Sequence, residues 1–302
     1  MRPTTLSVGY IPLIDAALLI VAQEMGFAAE EGLALDLKPA PSWSSVRDML
    51  AFGRVDAAHM LSPVTVATAL GLGGSGVQFA ALSVLSMNGN VIGVSNDLAA
   101  RLRDVGHGFG FDDAEKAGRD LIEAAKGRLR IGVPFPFSMH AELLYYWLSA
   151  LGLPAPQSVD IRTVPPPLMG AAIEAGEIDA FCVGEPWGSQ AVEHGGRELL
   201  LPGCAIWSAA PEKVLAVRSD WAEQEQALMG RLIRAVWRVA HGVFRSDLYR
   251  QALETTSADL PGASSKQEGG LSVPTAVASK VGQLILEKNQ FFDGRVFDPF
   301  VK

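Results

Sequence analysis

The chain has 302 residues, which is enough for two domains of ordinary size. Hydrophobic residues make up 49% of it and charged residues only 19%, so the composition is that of a core-rich globular protein and excludes a disordered one. The formal net charge of −8 argues against nucleic acid as a direct partner, because there is no basic surplus to neutralise phosphates. The composition does not exclude a small anionic ligand, since such a ligand needs only a few local hydrogen-bond donors.

The first elements read as a strand at 6–11 and a helix at 16–25 that Gly26 closes. No secretory signal precedes the strand. The apolar run 13–21 is too short to span a bilayer, and no transmembrane segment follows it. These features predict a cytoplasmic protein if Met1 is the natural start, and a periplasmic one if a signal peptide has been removed.

Strands then alternate with short helices, which predicts βαβ units and a mostly parallel sheet. A helix at 45–52 has Ser45 and Asp48 in a capping-box-like start, and Ser62 and Pro63 open another helix as N-cap and first residue. The further strands of this first part are expected at 33–37, 55–60, 77–85 and 91–94.

The charged stretch 97–126 is expected to be helical and to cross into a second lobe. That lobe should contain a strand at 128–133, a helix at 138–151, a strand at 159–164 and a helix at 168–175. The strand 214–217 is expected to return to the first lobe, followed by a helix at 224–244. A Ser/Gly/Ala-rich loop is expected at 255–270, and 281–286 is compatible with a final helix.

One pattern, G-x-[V/I]-D-A-x5-P, occurs twice, at 53–63 and at 176–186. Each copy follows an extended segment, a proline-marked turn and a short helical pattern. This repetition predicts two similarly built α/β lobes, which usually face each other across a ligand-binding cleft. The alternative is chance convergence on a good helix–glycine–strand junction, since glycine after a helix is ordinary C-cap chemistry.

Candidate ligand-binding residues are found by one rule: in parallel α/β sheets, ligands bind outside the carboxyl ends of strands and against helix N-termini. Trp43 lies in a Ser-rich loop at a helix start, where it either packs on the core or offers its indole N–H. His140, at the start of a helix, is a capping or ligand-donating residue or a surface histidine. Lys213 lies just before a strand, where a lone lysine would ordinarily be solvated. It is a candidate only because the other candidate residues accompany it.

The same rule selects residues that would form the walls of a cleft. These are Tyr10 after the first strand, Ser62 and Glu185 at equivalent places in the repeat, and Trp187. For Glu185 the simpler explanation is a role at the helix N-terminus. His59 falls inside a strand and is expected to be a buried, satisfied histidine.

Sequence patterns of catalysis are missing: the chain has no P-loop, no G-x-S-x-G, no H-E-x-x-H and no complete dinucleotide-binding fingerprint. Cys182 and Cys204 have no metal-like spacing, and we interpret them as small buried residues rather than a disulfide pair. We therefore predict a binding protein with no catalytic residue, no metal and no cofactor.

Four blocks resemble the nitrate- and bicarbonate-binding (NrtA/CmpA-like) family of type II solute-binding proteins over residues 5–245. The blocks are A-P-S-W-S-S-V-R-D at 40–48, D-A-A-H-M-L-S-P at 56–63, F-C-V-G-E-P-W at 181–187 and P-E-K-V-L at 211–215. The resemblance implies a periplasmic-binding-protein-like type II fold, with two Rossmann-like lobes joined by two crossings that close over one anion. Lobe I would comprise 1–97 with 213–302, and lobe II 98–212.

Carried over position by position, the resemblance places the family's nitrate-site tryptophan on Trp43, its histidine on His140 and its lysine on Lys213. Gly89, Asn90 and Pro134 complete the expected ligand-binding set. Nitrate binders usually have glutamine where this chain has Asn90, so the amide donor is kept with a shorter reach. The chain after about residue 255 departs from the family's usual course.

Members without an export signal resemble the cytoplasmic nitrate/nitrite sensor NasS. In that group the ligand-free binding protein holds an RNA-binding antiterminator of the NasT type inactive, and the anion releases it. The resemblance thus implies a nitrate or nitrite sensor with a NasT-like response-regulator partner in nitrate assimilation.

Two other functions stay open at the level of sequence. One is the substrate-binding component of an ABC importer for nitrate, nitrite or bicarbonate. Bicarbonate-binding relatives add a metal-bound carboxylate, and no well-placed surplus acid is evident here. The other is an enzyme like the yeast-type thiamine-pyrimidine synthase, but that enzyme carries a cysteine cluster, and this chain has only Cys182 and Cys204.

Overall fold

A computed structural model describes residues 3–193 and 197–242. These residues form two compact units. The first contains the described residues up to Met87 and from Pro211 onward, and the second runs from Asn88 to Ala210. The predictions for 255–270 and 281–286 lie outside the described residues.

The secondary structure of both units alternates strands and helices. The strands are β1 Thr4–Tyr10, β2 Leu33–Pro39, β3 Ala57–Leu61, β4 Phe79–Met87, β5 Asn90–Ser95, β6 Arg130–Val133, β7 Asp160–Thr163, β8 Ala180–Gly184, β9 Arg197–Pro202 and β10 Pro211–Arg218. The helices are α1 Ala17–Glu24, α2 Phe27–Glu30, α3 Trp43–Ala51, α4 Ser62–Ala69, α5 Asn96–Asp104, α6 Ala114–Ala124, α7 Met139–Ala150, α8 Met169–Glu174, α9 Trp187–Glu193, α10 Gly203–Ile206, α11 Ser219–Gln224 and α12 Gln226–Gly242. Short 3-10 turns lie at Ile14–Ala16 and Pro166–Leu168.

The sheet of the first unit has, within the described residues, the strand order β2-β1-β3-β10-β4. Strands β1, β2 and β3 are parallel, and β10 is antiparallel to both β3 and β4. Lys213 near the start of β10 pairs with Leu61 at the end of β3. One edge of this sheet therefore collects the carboxyl ends of β1, β2 and β3 together with the beginning of β10.

The sheet of the second unit has the order β7-β6-β8-β5-β9 among the described residues, so it repeats the mixed design of the first. Strands β6, β7 and β8 are parallel, and β5 is antiparallel to β8 and β9. Asn90 at the start of β5 pairs with Gly184 at the end of β8. The end of β6, the end of β8 and the start of β5 consequently share one edge.

Each sheet contributes to its own hydrophobic core. In the first unit Leu6, Val8 and Leu215 pack with α1 and with Leu232 of α12. In the second unit the strands pack against α5, α6 and α7 in a cluster that includes Leu144. The buried hydrophobic residues are thus divided between two cores, as expected for two α/β units.

The repeated motif builds the same junction in both units. Gly53 and Gly176 follow α3 and α8 with positive φ angles of 64° and 67°, a region that favours glycine. The aspartate of each copy then ties the junction to the neighbouring strand. Asp56 accepts hydrogen bonds from the Ser7 backbone N–H (2.8 Å) and hydroxyl (2.7 Å), and Asp179 accepts one from the Arg130 backbone N–H (3.0 Å).

The position of β5 differs from expectation. The predicted lobe I extended to residue 97, but β5 forms its ladder with β8 and β9 and so belongs to the second sheet. The units divide after 87 and after 210, whereas the expected bounds lay after 97 and after 212. Strand β9 was not predicted, because its sequence R-E-L-L-L-P carries no clear alternation.

Several boundaries and caps also differ. The helical stretch 97–126 is interrupted between α5 and α6. The helix expected at 224–244 corresponds to α12, which begins at Gln226, and the short helix α11 before it was not predicted. Ser42, not Ser45, caps α3, and its hydroxyl accepts a hydrogen bond from the Ser45 N–H (3.2 Å). Ser62 is the first residue of α4 and not its cap, because it is already helical.

Candidate functional site

Trp43 lies at the edge of the first sheet where the parallel strands end. The chain leaves β2 at Pro39, and the Ser42 cap makes Trp43 the first residue of α3. Its side chain is only 1% exposed, and among the described residues its indole Nε1 has no hydrogen-bond partner. The ring lies 5.3 Å from Lys213 Nζ and 5.5 Å from the His59 ring. A buried donor without an acceptor is costly, so it marks a place where a ligand can bind.

Lys213 is completely buried and paired with two carboxylates. Its Nζ lies 2.9 Å from Asp15 Oδ2 and 2.8 Å from Glu212 Oε1. Burial opposes the charged form, but the two neighbouring carboxylates outweigh it and raise the pKa of Lys213 above its ordinary value. The lysine is therefore a fixed, charged group inside the unit and not the solvated side chain that a lone lysine would normally be.

Asp15 is the residue that sequence reasoning missed. It lies in the 3-10 turn after β1, where its Oδ1 is 3.1 Å from His59 Nε2 and its Oδ2 accepts from Ser86 Oγ at 3.5 Å. Burial favours its neutral form, but Lys213 and His59 outweigh burial and hold the pKa of Asp15 well below its usual range. The available signal was that Asp15 is the only charge in the apolar run 13–21.

We call Asp15, Trp43, His59, Glu212 and Lys213 the lysine cluster. The expectation that no surplus acid lies near the site is wrong, because two carboxylates are bound to Lys213. The part of the chain that the structure describes nevertheless contains no group of three His, Cys, Asp or Glu side chains that could hold a metal. His59 is buried in β3 as expected, but its Nδ1 has no hydrogen-bond partner in the described residues.

The two expected wall residues of the first unit have structural contacts. Tyr10 ends β1 and packs with Ala16 and Ile20. The Ser62 hydroxyl donates to the Pro211 carbonyl oxygen at 2.5 Å, which joins the start of α4 to the start of β10. Both therefore support the edge on which Lys213 lies.

In the second unit, Gly89 and Asn90 lie at the corresponding edge. Asn88 and Gly89 form a left-handed turn with φ angles of 59° and 85°, and the Asn88 side chain fixes this turn by bonding Ser208 and Ala210. Asn90 is 3% exposed, and its side chain lies directly on Gly203 at the start of α10. The turn and the small residue together set where the Asn90 amide points.

Pro134 and His140 come to the same edge through β6. Pro134 follows that strand and is buried, and Ser138 caps α7 by accepting from the Ala141 N–H at 3.2 Å. His140 is the second residue of α7 and is only 1% exposed, so it is not a surface histidine. The topology thus brings Gly89, Asn90 and Pro134 to one edge, with His140 in the helix that begins there.

Glu185 follows β8 at this edge and is 4% exposed. Its Oε2 accepts from the Ser189 N–H at 3.1 Å, in the first turn of α9, whereas its Oε1 has no hydrogen-bond partner among the described residues. Burial raises the pKa of Glu185 to about 7, although the hydrogen bond from Ser189 acts in the opposite direction. Glu185 is therefore a carboxyl group whose charge changes near neutral pH.

Trp187 lies in a different setting. It lines a cavity of about 240 Å³ between α8 and α9, together with Pro167, Gly170 and Arg197. Arg197 is tied there by a hydrogen bond to the Gly170 carbonyl oxygen at 2.9 Å. Cys182 is buried and Cys204 is partly exposed, and no disulfide joins them in the structure. Among the described residues, no helix is both long enough and apolar enough to cross a bilayer.

We expect Gly203→Ala to displace the Asn90 side chain and to destabilise the second unit. A Cβ at residue 203 would lie 1.8 Å from Asn90 Oδ1, so the amide has to move. Overpacking of this kind costs about 1–3 kcal/mol, which urea denaturation measures. Gly170→Ala is the matched control, because its Cβ would meet Ala191 at ordinary contact distances of 3.6 and 3.8 Å. Equal stabilities of the two variants would contradict this position of the Asn90 side chain.

Two mixed α/β sheets, each with polar groups at the edge where its parallel strands end, define the class of solute-binding proteins with the periplasmic-binding-protein fold. The comparison with solved structures agrees. The periplasmic nitrate-binding protein NrtA from Synechocystis PCC 6803 has a TM-score of 0.74 and 27% identity, over 86% of this chain and 68% of that one.

The chain belongs to the NMT1-like family, whose model matches residues 1–255. Among curated relatives, the nitrate/nitrite binding protein NrtA of Nostoc sp. PCC 7120 is 34% identical over 242 residues, which are 78% of this chain and 53% of that protein. The nitrate import ATP-binding protein NrtC of Synechocystis sp. PCC 6803 is 35% identical over 238 residues, 78% of this chain and 34% of that protein. The chain thus spans about a third to a half of the length of these relatives. The relatives named as nitrate-binding proteins are binding proteins and not enzymes, which agrees with the prediction that this chain is not an enzyme.

Proposed function

We propose that this protein binds nitrate or nitrite, and that in doing so it controls an RNA-binding antiterminator partner of the NasT type. The observation that carries the anion part is the unpartnered, buried indole N–H of Trp43 beside the charged Lys213. A donor and a cation next to each other, both out of water, suit a small anion. Relatives named as nitrate-binding proteins support the same ligand class.

The proposed ligand-binding residues are Trp43 and Lys213 at the edge of the first sheet, and Gly89, Asn90, Pro134 and His140 at the edge of the second. Nitrate is a planar monoanion, so a cation, an indole N–H, an imidazole N–H and an amide or backbone donor can neutralise and orient it. Of the residues expected to form walls, Tyr10, Ser62 and Glu185 lie at the edges described above, and Trp187 lines the cavity between α8 and α9.

Calorimetry with nitrate, nitrite, bicarbonate and sulfate tests the ligand class. We expect nitrate or nitrite to bind more tightly than bicarbonate, because the two acids near Lys213 are already bound to it and form no metal site in the described residues. The absence of binding by nitrate and nitrite would end this proposal.

Trp43→Phe should lower nitrate affinity about tenfold to a hundredfold, since a hydrogen bond to a charged group contributes about 1.5–3 kcal/mol. The variant should lose stability only through the smaller ring in a buried place, because this N–H has no partner in the described residues. Trp147→Phe is the matched control, since it also shortens a buried ring. Its Nε1 donates to the Ala114 carbonyl oxygen at 2.7 Å, so this change should cost about 1 kcal/mol of stability beyond the effect of the smaller ring and leave nitrate affinity unchanged. The reverse pattern would remove Trp43 from the site.

The sensor role is tested with a purified NasT-like antiterminator. We expect the two proteins to co-elute in gel filtration without nitrate and to separate when nitrate is added. This role requires a cytoplasmic protein, which we also propose. A complex that never forms, or that ignores both nitrate and nitrite, would contradict it.

The alternative is the substrate-binding part of an ABC importer. It is favoured by the name of one curated relative, the nitrate import ATP-binding protein NrtC. An importer component should bind the anion and show no anion-dependent interaction with the antiterminator, so the same gel-filtration experiment separates the two functions.

A further inference from the structure

Asp15 joins three strands of the first sheet at the lysine cluster. Its Oδ1 contacts His59 on β3, and its Oδ2 contacts Lys213 on β10 and the Ser86 hydroxyl on β4. The side chain is 14% exposed, whereas Lys213 and His59 are completely buried. A single carboxylate thus fixes the direction of both the ammonium group and the imidazole ring.

We propose that Asp15 positions Lys213 and His59 and restricts the site to anions that carry a single negative charge. The inference rests on the proposed function, because it concerns the anion that would bind beside Trp43 and Lys213. It adds a selectivity residue to that site.

The selectivity follows from the charges that surround the binding place. Lys213 is the cation that an anion would approach, but its charge is already shared with Asp15 at 2.9 Å and with Glu212 at 2.8 Å. A monoanion is bound by the ammonium group and the unpartnered Trp43 N–H. Each additional negative charge on the ligand gains less from Lys213 and is repelled by Asp15, and a buried site screens that repulsion much less than water does. A dianion should therefore bind poorly although the site contains a lysine.

The test uses calorimetry of the whole chain with nitrate, perchlorate and sulfate. Perchlorate and sulfate are both tetrahedral oxyanions and differ in charge, so their affinity ratio reports on charge more than on shape. For the unaltered protein we expect perchlorate to bind at least about tenfold more tightly than sulfate. Equal affinities for the two would overturn the inference.

Asp15→Asn removes the charge and keeps nearly the same shape. We expect it to reduce the perchlorate-to-sulfate ratio by about tenfold or more, mainly through tighter binding of sulfate. Asp15→Glu keeps the charge and moves it, so it should retain the ratio of the unaltered protein while weakening nitrate binding. A purely structural role would change the stability of both variants and leave the ratio alone.

Asp56→Asn is the matched control. Asp56 belongs to the same unit but lies before β3, at the opposite end of that strand from Leu61, where it bonds Ser7. Its removal should leave the ratio unchanged. If Asp15→Asn does not fold, Asp15→Ser takes its place, because it also removes the charge and should lower the perchlorate-to-sulfate ratio in the same direction. If the unaltered protein binds no nitrate, the proposed function is refuted. If it binds nitrate and Asp15→Asn has the same perchlorate-to-sulfate ratio as the unaltered protein, only the role of Asp15 is refuted.

Discussion

Replacing Lys213 with methionine should destabilise the first unit by about 3–5 kcal/mol, the usual cost of breaking a buried ion pair by removing one partner. The methionine fills a similar volume, but it takes the ammonium group away from two buried carboxylates, those of Asp15 and Glu212. Urea denaturation at neutral pH, followed by hydrogen exchange of the β10 amides, measures the loss. Nitrate affinity should also fall by about 2 kcal/mol or more, because the ligand loses its cation.

Lys38→Met is the matched control. Lys38 lies 2.8 Å from Asp36, nearly the same separation as in the buried pair, but both side chains are about half exposed. Exposed pairs contribute about 0–1 kcal/mol, so this change should be small. The double variant Asp15→Asn with Lys213→Met removes both charges and should recover part of the loss, which a double-mutant cycle would quantify. A Lys213→Met variant as stable as Lys38→Met would contradict the buried pair.

The dependence of this loss on pH has a definite sign. The pKa of Asp15 is depressed in the folded protein, so its ionised form stabilises the fold above the unfolded value of about 4 and loses that contribution as pH falls towards the folded value. The difference between the unaltered protein and Lys213→Met should therefore be largest near neutral pH and shrink in acid.

The local elements were predictable from the sequence because their causes are local. Alternation marked β2, β-branched residues at both ends of 214–217 marked β10, and a glycine after a helix marked each of the two repeat junctions. Trp43 could be placed at a helix start because a serine-rich loop precedes it. The resemblance to a known family then supplied the fold that the comparisons confirm.

What could not be predicted depends on contacts between distant residues. Strand β5 reads as a continuation of the first lobe, and only its ladder with β8 and β9 assigns it to the second. Asp15 and Lys213 lie at 15 and 213 in the chain, and nothing near either residue shows that the other will neutralise it. A buried charge looks the same in the sequence as a solvated one. The two carboxylates that pair with Lys213 could therefore be recognised only from the three-dimensional structure.

Glu185→Gln should make the second unit more resistant to rising pH. The pKa of the Glu185 carboxyl is raised from 4.5 to about 7 in the folded protein. A raised carboxyl pKa means that the folded state holds the proton more tightly, so the contribution to stability is complete below about pH 4.5 and is lost as pH rises through about 7. The shift corresponds to about 3 kcal/mol at 1.36 kcal/mol per pKa unit. The variant has no such loss.

The free energy of unfolding of each protein is measured at pH 5 and at pH 9 by urea denaturation with hydrogen exchange of the β8 amides. The decisive quantity is how much this free energy changes between the two pH values in the unaltered protein and in Glu185→Gln. Glutamine places an amide group where Oε1 has no partner in the described residues, and this cost of about 1–3 kcal/mol is the same at every pH. It therefore cancels in the comparison. Glu123→Gln, an exposed residue of α6 in the same unit, gives the reference curve. Parallel curves for the unaltered protein and Glu185→Gln would show that the carboxyl does not titrate in this range.

The same ionisation should affect the ligand, because Glu185 lies at the edge of the sheet that carries Asn90. The Glu185 backbone N–H donates to the Gly89 carbonyl oxygen at 3.2 Å, and the residue before it, Gly184, pairs with Asn90. Above about pH 7 the carboxylate adds a buried negative charge beside the proposed anion site, so nitrate affinity should fall as pH rises through this value. Glu185→Gln should remove that part of the fall. If the two proteins lose affinity equally, the group that titrates is not Glu185.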